Sequence, residues 1–209
     1  MNPENIPFNA LIVGPTNSGK SLFLLNQLWG PFRGKFDYIV FVCPTFDQNE
    51  TYQDFATKDP WFWPVVCEQH QIEYALSVLR NVFRGLNTLI VLDDCASSKD
   101  VKGRTGELVN LAFSARHSEI SVWVLTQKLT SITSSFRENV AAIVLFYTPS
   151  FRTLKAVFDD YGSDISAEEQ QKIITTLKNN RYSHLIISLR FPFIFKIIFS
   201  VIWKPQNLR

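Results

Sequence analysis

The sequence predicts an α/β fold in which a mostly parallel central sheet is flanked by helices, and three observations lead to this prediction. Short β-branched runs alternate with stretches of helical periodicity along the chain. A glycine-containing loop at residues 14–21 separates the first such run from the first helix. A later apolar run, at residues 89–92, ends in the adjacent carboxylates Asp93 and Asp94. Strands that alternate with helices are typical of a parallel sheet.

The individual elements follow from local patterns in chain order. Apolar and β-branched runs predict strands at residues 10–13, 38–43, 89–92, 121–126 and 142–146, then two buried strands at 184–189 and 193–199. Helical spacing predicts helices at residues 20–29, 69–84 and 106–114. A further helix runs to about Lys178 and opens with a capping box of Ser166 and Glu169.

The bulk properties indicate one globular domain. A chain of 209 residues can bury a full core, and we expect one domain over residues 1–209, with its core at about 8–195 and apolar strands at 184–203. The net charge of +2 does not by itself indicate a polyanionic partner, so any contact with nucleic acid requires a local cluster. Eighteen Phe and five Trp predict some apolar surface, which oligomerisation would bury.

The cysteines and the first residues bear on the compartment. Cys43, Cys67 and Cys95 are odd in number and lack C-x-x-C spacing, which favours free thiols in a reducing compartment. Residues 1–8 are polar with two prolines, unlike a signal peptide. We therefore expect an intracellular protein.

The apolar stretch at residues 185–203 raises the question of a membrane. Arg190, Pro192 and Lys196 interrupt it, and a charged side chain at bilayer depth costs about 2.5–3.5 kcal/mol on insertion scales. Two strands therefore explain the stretch better than a membrane segment, and a membrane or partner surface is the alternative.

The loop at residues 14–21 matches G-x-x-x-x-G-K-[ST] between a strand and a helix. Its backbone N–H groups and the helix N-terminus would hold the phosphates of a nucleoside triphosphate. The Lys20 ammonium would reach the same oxygens, and the Ser21 hydroxyl would bind Mg²⁺. The predicted nucleotide-binding residues are Gly14, Pro15, Thr16, Asn17, Ser18, Gly19, Lys20 and Ser21.

Polar side chains end two later strands. We assign Asp93 to the Mg²⁺ shell and Asp94 to the general base that activates water. Many ATPases of this type carry Glu at the second position, and the alternative is that the pair only caps the strand. Gln127 ends the strand at 121–126, and its amide would contact the attacking water or the γ-phosphate.

The series formed by these motifs resembles a known family. The motifs at 14–21 and 89–94 are followed by Arg116-His117, by Gln127, and by Arg137-Glu-Asn139 before the strand at 142–146. The series is similar to that of the poxvirus-type genome-packaging ATPases of the FtsK/HerA superfamily, which occur also in giant viruses, virophages and Polinton-type elements. The resemblance covers about residues 8–195.

The resemblance implies a P-loop NTPase fold of the ASCE, RecA-like type, with the strand of Gln127 between the phosphate-loop strand and the acidic strand. It implies an ATP- and Mg²⁺-dependent translocase that packages double-stranded DNA into a capsid. It also implies a homo-oligomeric ring, commonly hexameric, with ATP at subunit interfaces, DNA in the channel and a capsid or portal-like docking partner. The location would be the host cytoplasm or nucleus, or the virion.

The same resemblance implies that an arginine acts in trans on the nucleotide of a neighbouring subunit. Arg116 is the first candidate and Arg137 the second, because a guanidinium stabilises the charge that develops on the phosphates. The alternative for each is a surface ion pair.

The segment after the acidic strand, at residues 96–106, is locally basic through Lys99, Lys102 and Arg104. These side chains are candidates for DNA contact, since cations bind phosphates without reading sequence. A solvated loop without DNA contact is the equal alternative. The aromatic turn predicted at residues 59–64 would pack under the helix at 69–84 or contact another subunit.

Other functions stay open on the residues alone. A P-loop kinase usually has an arginine-rich lid, which this sequence lacks, and a repair or recombination ATPase or helicase would require an accessory domain. A nucleotide-binding scaffold without catalysis is a third alternative. ATP hydrolysis with and without double-stranded DNA, beside the mass in solution, separates them.

Overall fold

The computed structural model describes residues 1–58, 62–95, 105–190 and 194–199. Within these ranges the chain forms an eight-stranded sheet. The strands are β1 (Asn9–Val13), β2 (Tyr38–Val42), β3 (Phe62–Val65), β4 (Thr88–Leu92), β5 (Ile120–Thr126), β6 (Val140–Phe146), β7 (His184–Ser188) and β8 (Ile194–Ile198).

The helices of the described residues lie between these strands. They are α1 (Lys20–Trp29), α2 (Glu50–Lys58), α3 (Ile72–Val82), α4 (Glu107–Ser118), α5 (Ser134–Arg137), α6 (Phe151–Tyr161) and α7 (Ala167–Asn179). The predicted strands and helices are confirmed with ends that differ by a few residues, and the capping box of Ser166 and Glu169 opens α7. Helices α2, α5 and α6 were not predicted. None of the helices in the described ranges is long and apolar enough to cross a membrane.

The strand order is β3-β2-β4-β5-β1-β6-β7-β8. Strands β1 to β6 pair in parallel, and β7 and β8 are antiparallel to their neighbours. The predicted mostly parallel sheet is therefore confirmed, and β5 lies between β4 and β1 as the resemblance implied. Because β1, β4 and β5 are parallel, their carboxyl-terminal ends share one end of the sheet, which we term the carboxyl end; the opposite one is the amino end.

Both faces of the sheet are covered by helices. One face packs an aromatic cluster under α1 and α2, in which the fully buried Trp123 ring lies 4.9 Å from Phe32 and 5.5 Å from Phe8. The other face packs aliphatic side chains of α3, α4 and α6, among them Leu76 and Leu108. Apolar burial on both faces accounts for the nearly continuous apolar composition of the central strands.

The aromatic segment corrects a prediction. Residues 59–61 lie outside the description, and residues 62–65 form the edge strand β3 rather than a turn. Phe62 does not pack under α3; its ring lies 4.4 Å from Phe41 and 5.0 Å from Phe55, on the other face of the sheet. Among the described residues of the segment, Trp63, 51% exposed, approaches the end of α3, with its ring 6.4 Å from Phe83. Pro64 is tolerated because an edge strand leaves one side without ladder bonds.

The two C-terminal strands were predicted to be buried, and this is wrong for the second. Strand β7 is buried between β6 and β8, whereas Ile194 of β8 is 49% exposed. An edge strand has a sheet neighbour on one side only, which leaves β8 open to solvent.

Candidate active site

The phosphate loop joins β1 to α1 at the carboxyl end of the sheet. Asn17 (φ 59°) and Gly19 (φ 102°) both adopt the left-handed conformation, which turns successive N–H groups toward a common centre. Gly14 has no room for a side chain, since a Cβ there would lie 2.8 Å from Cβ of Phe146. The Ser18 hydroxyl is buried and has no hydrogen-bond partner among the described residues. The loop thus presents donors suited to an anion.

The Lys20 ammonium lies inside this loop. Its Nζ donates to the carbonyl oxygens of Gly14 and Pro15, both at 2.9 Å. Burial lowers the pKa of Lys20, and the nearby carboxylates of Asp93 and Asp94 oppose that shift. A partly buried cation held by carbonyl oxygens is well placed to exchange them for the more negative oxygens of a phosphate chain.

Asp93 follows β4 and is held by two donors. Its Oδ2 accepts a 2.6 Å hydrogen bond from the Tyr52 hydroxyl, and its Oδ1 accepts from the backbone N–H of Asp94 at 2.9 Å. Burial raises the pKa of Asp93, and the Tyr52 hydrogen bond and the Lys20 charge act against this. The Tyr52 hydroxyl also interacts with the Ser21 hydroxyl. The two predicted Mg²⁺ ligands, Ser21 and Asp93, therefore converge on one phenol oxygen.

Tyr52 is a residue that sequence reasoning missed. It lies on α2, which was not predicted, and its side chain is fully buried. Its ring packs against Phe41 at 5.1 Å and Phe46 at 6.4 Å, which directs the hydroxyl at the end of β4. A tyrosine in a polar segment carries no signal that would reveal this contact from sequence.

Asp94, the predicted general base, is exposed at the end of β4 in a left-handed conformation (φ 57°). Such a conformation is uncommon outside glycine and clusters at functional sites. The Asp94 carboxylate accepts a 3.2 Å hydrogen bond from Thr45, and its carbonyl accepts one of 2.7 Å from Gln69. These contacts hold an ionisable group at the carboxyl end with access to water.

Gln127 is exposed at the end of β5, between the phosphate loop and the acidic pair. The backbone connects it to the loop directly, because the Gly14 N–H donates to the Thr126 carbonyl at 3.1 Å. Lys20, Asp93, Asp94 and Gln127 therefore lie at one end of three adjacent strands.

Arg116 lies at the opposite end of the sheet. Helix α4 runs back from the carboxyl end, and Arg116 is nine positions after Glu107, which is about 14 Å of helix. Arg116 is exposed and has no ion pair among the described residues. It cannot reach the phosphate loop of its own chain.

Arg137 is also at the amino end, just before β6. It is half-buried and forms an ion pair with Asp160 of α6. The Tyr161 hydroxyl donates to the Arg137 carbonyl at 2.9 Å. Arg137 therefore already has a partner within its own chain, in contrast to Arg116.

A second arginine that was not predicted as a site residue shares a groove with Arg116. This groove, of about 400 Å³, is lined by Phe8, Asn9, Arg116, Asn139 and Arg190 among others, and we term it the arginine groove. Arg190 donates to the carbonyl oxygens of Asn5 and Pro7, and burial and the Arg116 charge lower its pKa. In the sequence, Arg190 was recognisable as a charged residue within an apolar run.

The candidate DNA-contact residues Lys99, Lys102 and Arg104 lie outside the described residues, so their role stays a prediction. The described part of the site combines an anion-binding loop, a partly buried cation, two adjacent carboxyl groups and a polar amide. Such a set can bind a phosphate chain, hold a divalent cation and activate water for attack on a phosphoryl group.

A family model described as the Poxvirus A32 protein matches residues 2–151 of the chain, a range that includes the predicted nucleotide site. No curated protein sequence matches at a significant level.

Solved structures with the same fold come from several sources. The chain is similar to the genome-packaging NTPase B204 of Sulfolobus turreted icosahedral virus 2 in complex with AMPPCP, with 16% identity, a TM-score of 0.72, and coverage of 96% of this chain and 100% of that chain. It is similar to the DNA-packaging ATPase B204 of Sulfolobus turreted icosahedral virus, with 21% identity, a TM-score of 0.70, and coverage of 94% of this chain and 98% of that chain. The conjugation coupling protein TcpA of pCW3 has 16% identity and a TM-score of 0.58, with coverage of 92% of this chain and 60% of that chain.

Proposed function

This chain belongs to the poxvirus A32 protein family, and we propose that it hydrolyses ATP to drive double-stranded DNA into a viral or virus-like capsid. It is a P-loop ATPase of the genome-packaging type. The phosphate loop, the acidic pair and the strand-ending amide supply the hydrolytic site.

The separation of Arg116 from the phosphate loop carries the proposal of a ring. The hydrolytic residues occupy the carboxyl end of the sheet, and the arginine groove occupies the amino end. A second subunit that sets its arginine groove against the phosphate loop of the first would complete the site. Such a head-to-tail contact joins two different surfaces, and repeating it gives a ring when the rotation between neighbours closes. We favour a hexamer with Arg116 as the residue that acts in trans.

Mg²⁺ fits the side chains where the end of β4 meets the start of α1. Ser21 and Asp93 both lie against the Tyr52 hydroxyl, so two oxygen ligands converge there, as Mg²⁺ prefers. The ion, when bound with ATP, neutralises charge on the phosphates. Asp94 accepts the proton of the attacking water, Gln127 orients that water, and Lys20 exchanges its carbonyl partners for the β- and γ-phosphate oxygens.

The remaining partners rest on the family and on local charge. Lys99, Lys102 and Arg104 would bind DNA phosphates inside the channel. A capsid or portal-like protein would dock the ring, in the host cytoplasm or nucleus or within the virion. One domain over residues 1–209 would carry all of these roles.

Mixing two defective variants tests the ring. Arg116→Ala subunits should bind ATP normally and fail to activate a neighbour, whereas Lys20→Ala subunits should keep a working arginine. Mixed rings should therefore recover part of the hydrolysis rate, because some interfaces combine intact residues from both variants. Labelled protein shows whether subunits exchange. No recovery in demonstrated mixed rings would exclude Arg116 and favour Arg137.

Two controls accompany this test. Arg152→Ala changes an exposed arginine on α6 and should keep wild-type activity. Hydrolysis should rise when double-stranded DNA is added, and the mass in solution should be a multiple of the subunit mass. A monomer that hydrolyses ATP at a rate independent of DNA would contradict the proposal.

A further inference from the structure

A cavity beside the phosphate loop is not used by the hydrolytic residues. It encloses about 200 Å³ and is lined by Gly19, Leu22, Phe23, Asn26, Gln27, Phe146, Tyr182, His184, Ile198 and Phe199. We term it the Tyr182 cavity. It opens on the β6–β8 side of the loop, whereas Asp93, Asp94 and Gln127 lie on the β4–β5 side.

This placement sets the direction of a bound nucleotide. The terminal phosphate must lie on the side of the carboxylates and Gln127, because the attacked phosphorus has to be near the activated water. The rest of the molecule then leaves the loop on the other side, past Gly19 and Leu22. That path leads into the Tyr182 cavity.

The lining is suited to a neutral planar group. No Asp, Glu, Lys or Arg side chain is among the described residues that line it, and burial lowers the pKa of His184, which favours the uncharged imidazole. Aromatic rings of Phe23, Phe146 and Tyr182 form apolar walls. The side-chain amides of Asn26 and Gln27 supply hydrogen-bond donors and acceptors at the cavity. The described lining residues include no cationic side chain for a phosphate, whereas a heterocyclic base would contact their aromatic rings and amides.

Tyr182 is held against the loop by an unusual backbone. Its φ of 64° is left-handed, a conformation that costs about 1–3 kcal/mol in a residue other than glycine and occurs at ligand-binding positions. A Cβ built on Gly19 would lie 3.1 Å from Cδ1 of the Tyr182 ring, so the ring packs closely on the phosphate loop. The Arg181 guanidinium lies 4.7 Å from the ring centroid. The ring is thus fixed where a nucleoside would leave the loop.

We propose that the Tyr182 cavity binds the nucleobase of the triphosphate, with Tyr182 as its aromatic contact and Asn26 and Gln27 as the groups that read its polar edge. The proposal rests on nucleotide binding by the phosphate loop. It assigns base recognition to α1 and to the turn before β7, separate from the residues that bind phosphates.

Binding of ATP and of inorganic tripolyphosphate to the full chain tests this assignment. Both probes carry the phosphates, and only ATP carries a base. Tyr182→Gly removes the ring and suits the left-handed backbone, so ATP affinity should fall about tenfold while tripolyphosphate affinity changes by less than about twofold. Tyr182→Phe keeps the ring and should bind ATP like the wild type. Tyr74→Ala, at an exposed tyrosine of α3, is the matched control.

The remaining variants separate failure of this proposal from failure of the phosphate site. Lys20→Ala should weaken both probes, and if it weakens neither, the phosphate loop is not the nucleotide site. The double variant Asn26→Ala with Gln27→Ala changes the cavity without changing the turn that carries Tyr182. It should reduce the preference for ATP over other nucleoside triphosphates. Unchanged ATP affinity in Tyr182→Gly and an unchanged preference in the double variant would overturn the proposal. A parallel loss of both probes in Tyr182→Gly would overturn it too, because the ring would then only support the loop.

Discussion

Replacing Tyr52 with phenylalanine removes one oxygen atom from a fully buried side chain and leaves its ring contacts in place. That oxygen donates the 2.6 Å hydrogen bond to Oδ2 of Asp93. In the variant, the Asp93 carboxylate keeps one hydrogen-bond donor among the described residues, the N–H of Asp94. Burial limits the ability of water to replace the missing donor.

The size of the effect follows from this contact. A hydrogen bond to a charged group contributes about 1.5–3 kcal/mol, so the free energy of unfolding should fall by that amount. At about 2–4 °C per kcal/mol for a domain of this size, Tm should fall by about 3–12 °C. Loss of a residue that positions a metal ligand lowers metal affinity by about 10–100-fold. The Mg²⁺ concentration at half-saturation should therefore rise at least about tenfold.

The assay is the rate of ATP hydrolysis at saturating ATP as Mg²⁺ is titrated, beside thermal unfolding without nucleotide. Tyr161→Phe is the matched control, because it removes a hydroxyl that donates to the Arg137 carbonyl at the other end of the sheet. It should lower Tm without moving the Mg²⁺ midpoint. An unchanged midpoint in Tyr52→Phe, or an equal shift in Tyr161→Phe, would refute the argument that Tyr52 positions Asp93.

Three further predictions concern the acidic pair and DNA. Asp94→Asn should bind Mg·ATP and hydrolyse it at least about 100-fold more slowly, because the general base is lost; equal loss of binding and turnover would contradict the separate roles of the two carboxylates. Burial raises the pKa of Asp93, so the folded protein binds this proton more tightly than the unfolded chain does and loses stability as pH rises through that pKa. Without nucleotide and metal, Asp93→Asn should therefore have a higher Tm than the wild type at neutral pH, and this difference in Tm should disappear at acidic pH. A lower Tm of the variant at neutral pH would show that the charge stabilises the fold. Alanine in place of Lys99, Lys102 and Arg104 should flatten the dependence of DNA-stimulated hydrolysis on salt, since each neutralised phosphate contributes about 0.9 to the slope of log affinity against log salt. A wild-type slope would exclude these three residues as the DNA contact.

The sequence by itself determined the parts of this protein that depend on neighbouring residues. The phosphate loop needs a strand, two glycines, a lysine and a helix within about a dozen positions, and all of these are local. The capping box of Ser166 and Glu169 and the apolar strands are equally local, because their hydrogen bonds and periodicity involve residues a few positions apart. These elements were predicted with ends close to those observed.

Strand order, and the helices that form only through tertiary packing, were harder to predict from the sequence. Periodicity indicates that β4, β5 and β1 are strands, but their order came from a family resemblance. Helix α2 is polar on average, and its Tyr52 and Phe55 become core residues only because the aromatic side chains of β2 and β3 lie above them. The same packing explains why residues 62–65 form strand β3 and not the predicted aromatic turn.

Only the tertiary structure decided which side chains meet. Tyr52 and Asp93 are 41 residues apart and share a 2.6 Å hydrogen bond because α2 and β4 pack at the same end of the sheet. The groove shared by Arg116 and Arg190 forms because α4 and β7 both end at the amino end. Contacts of this kind depend on the closure of long loops around a common core, and no spacing in the sequence encodes them.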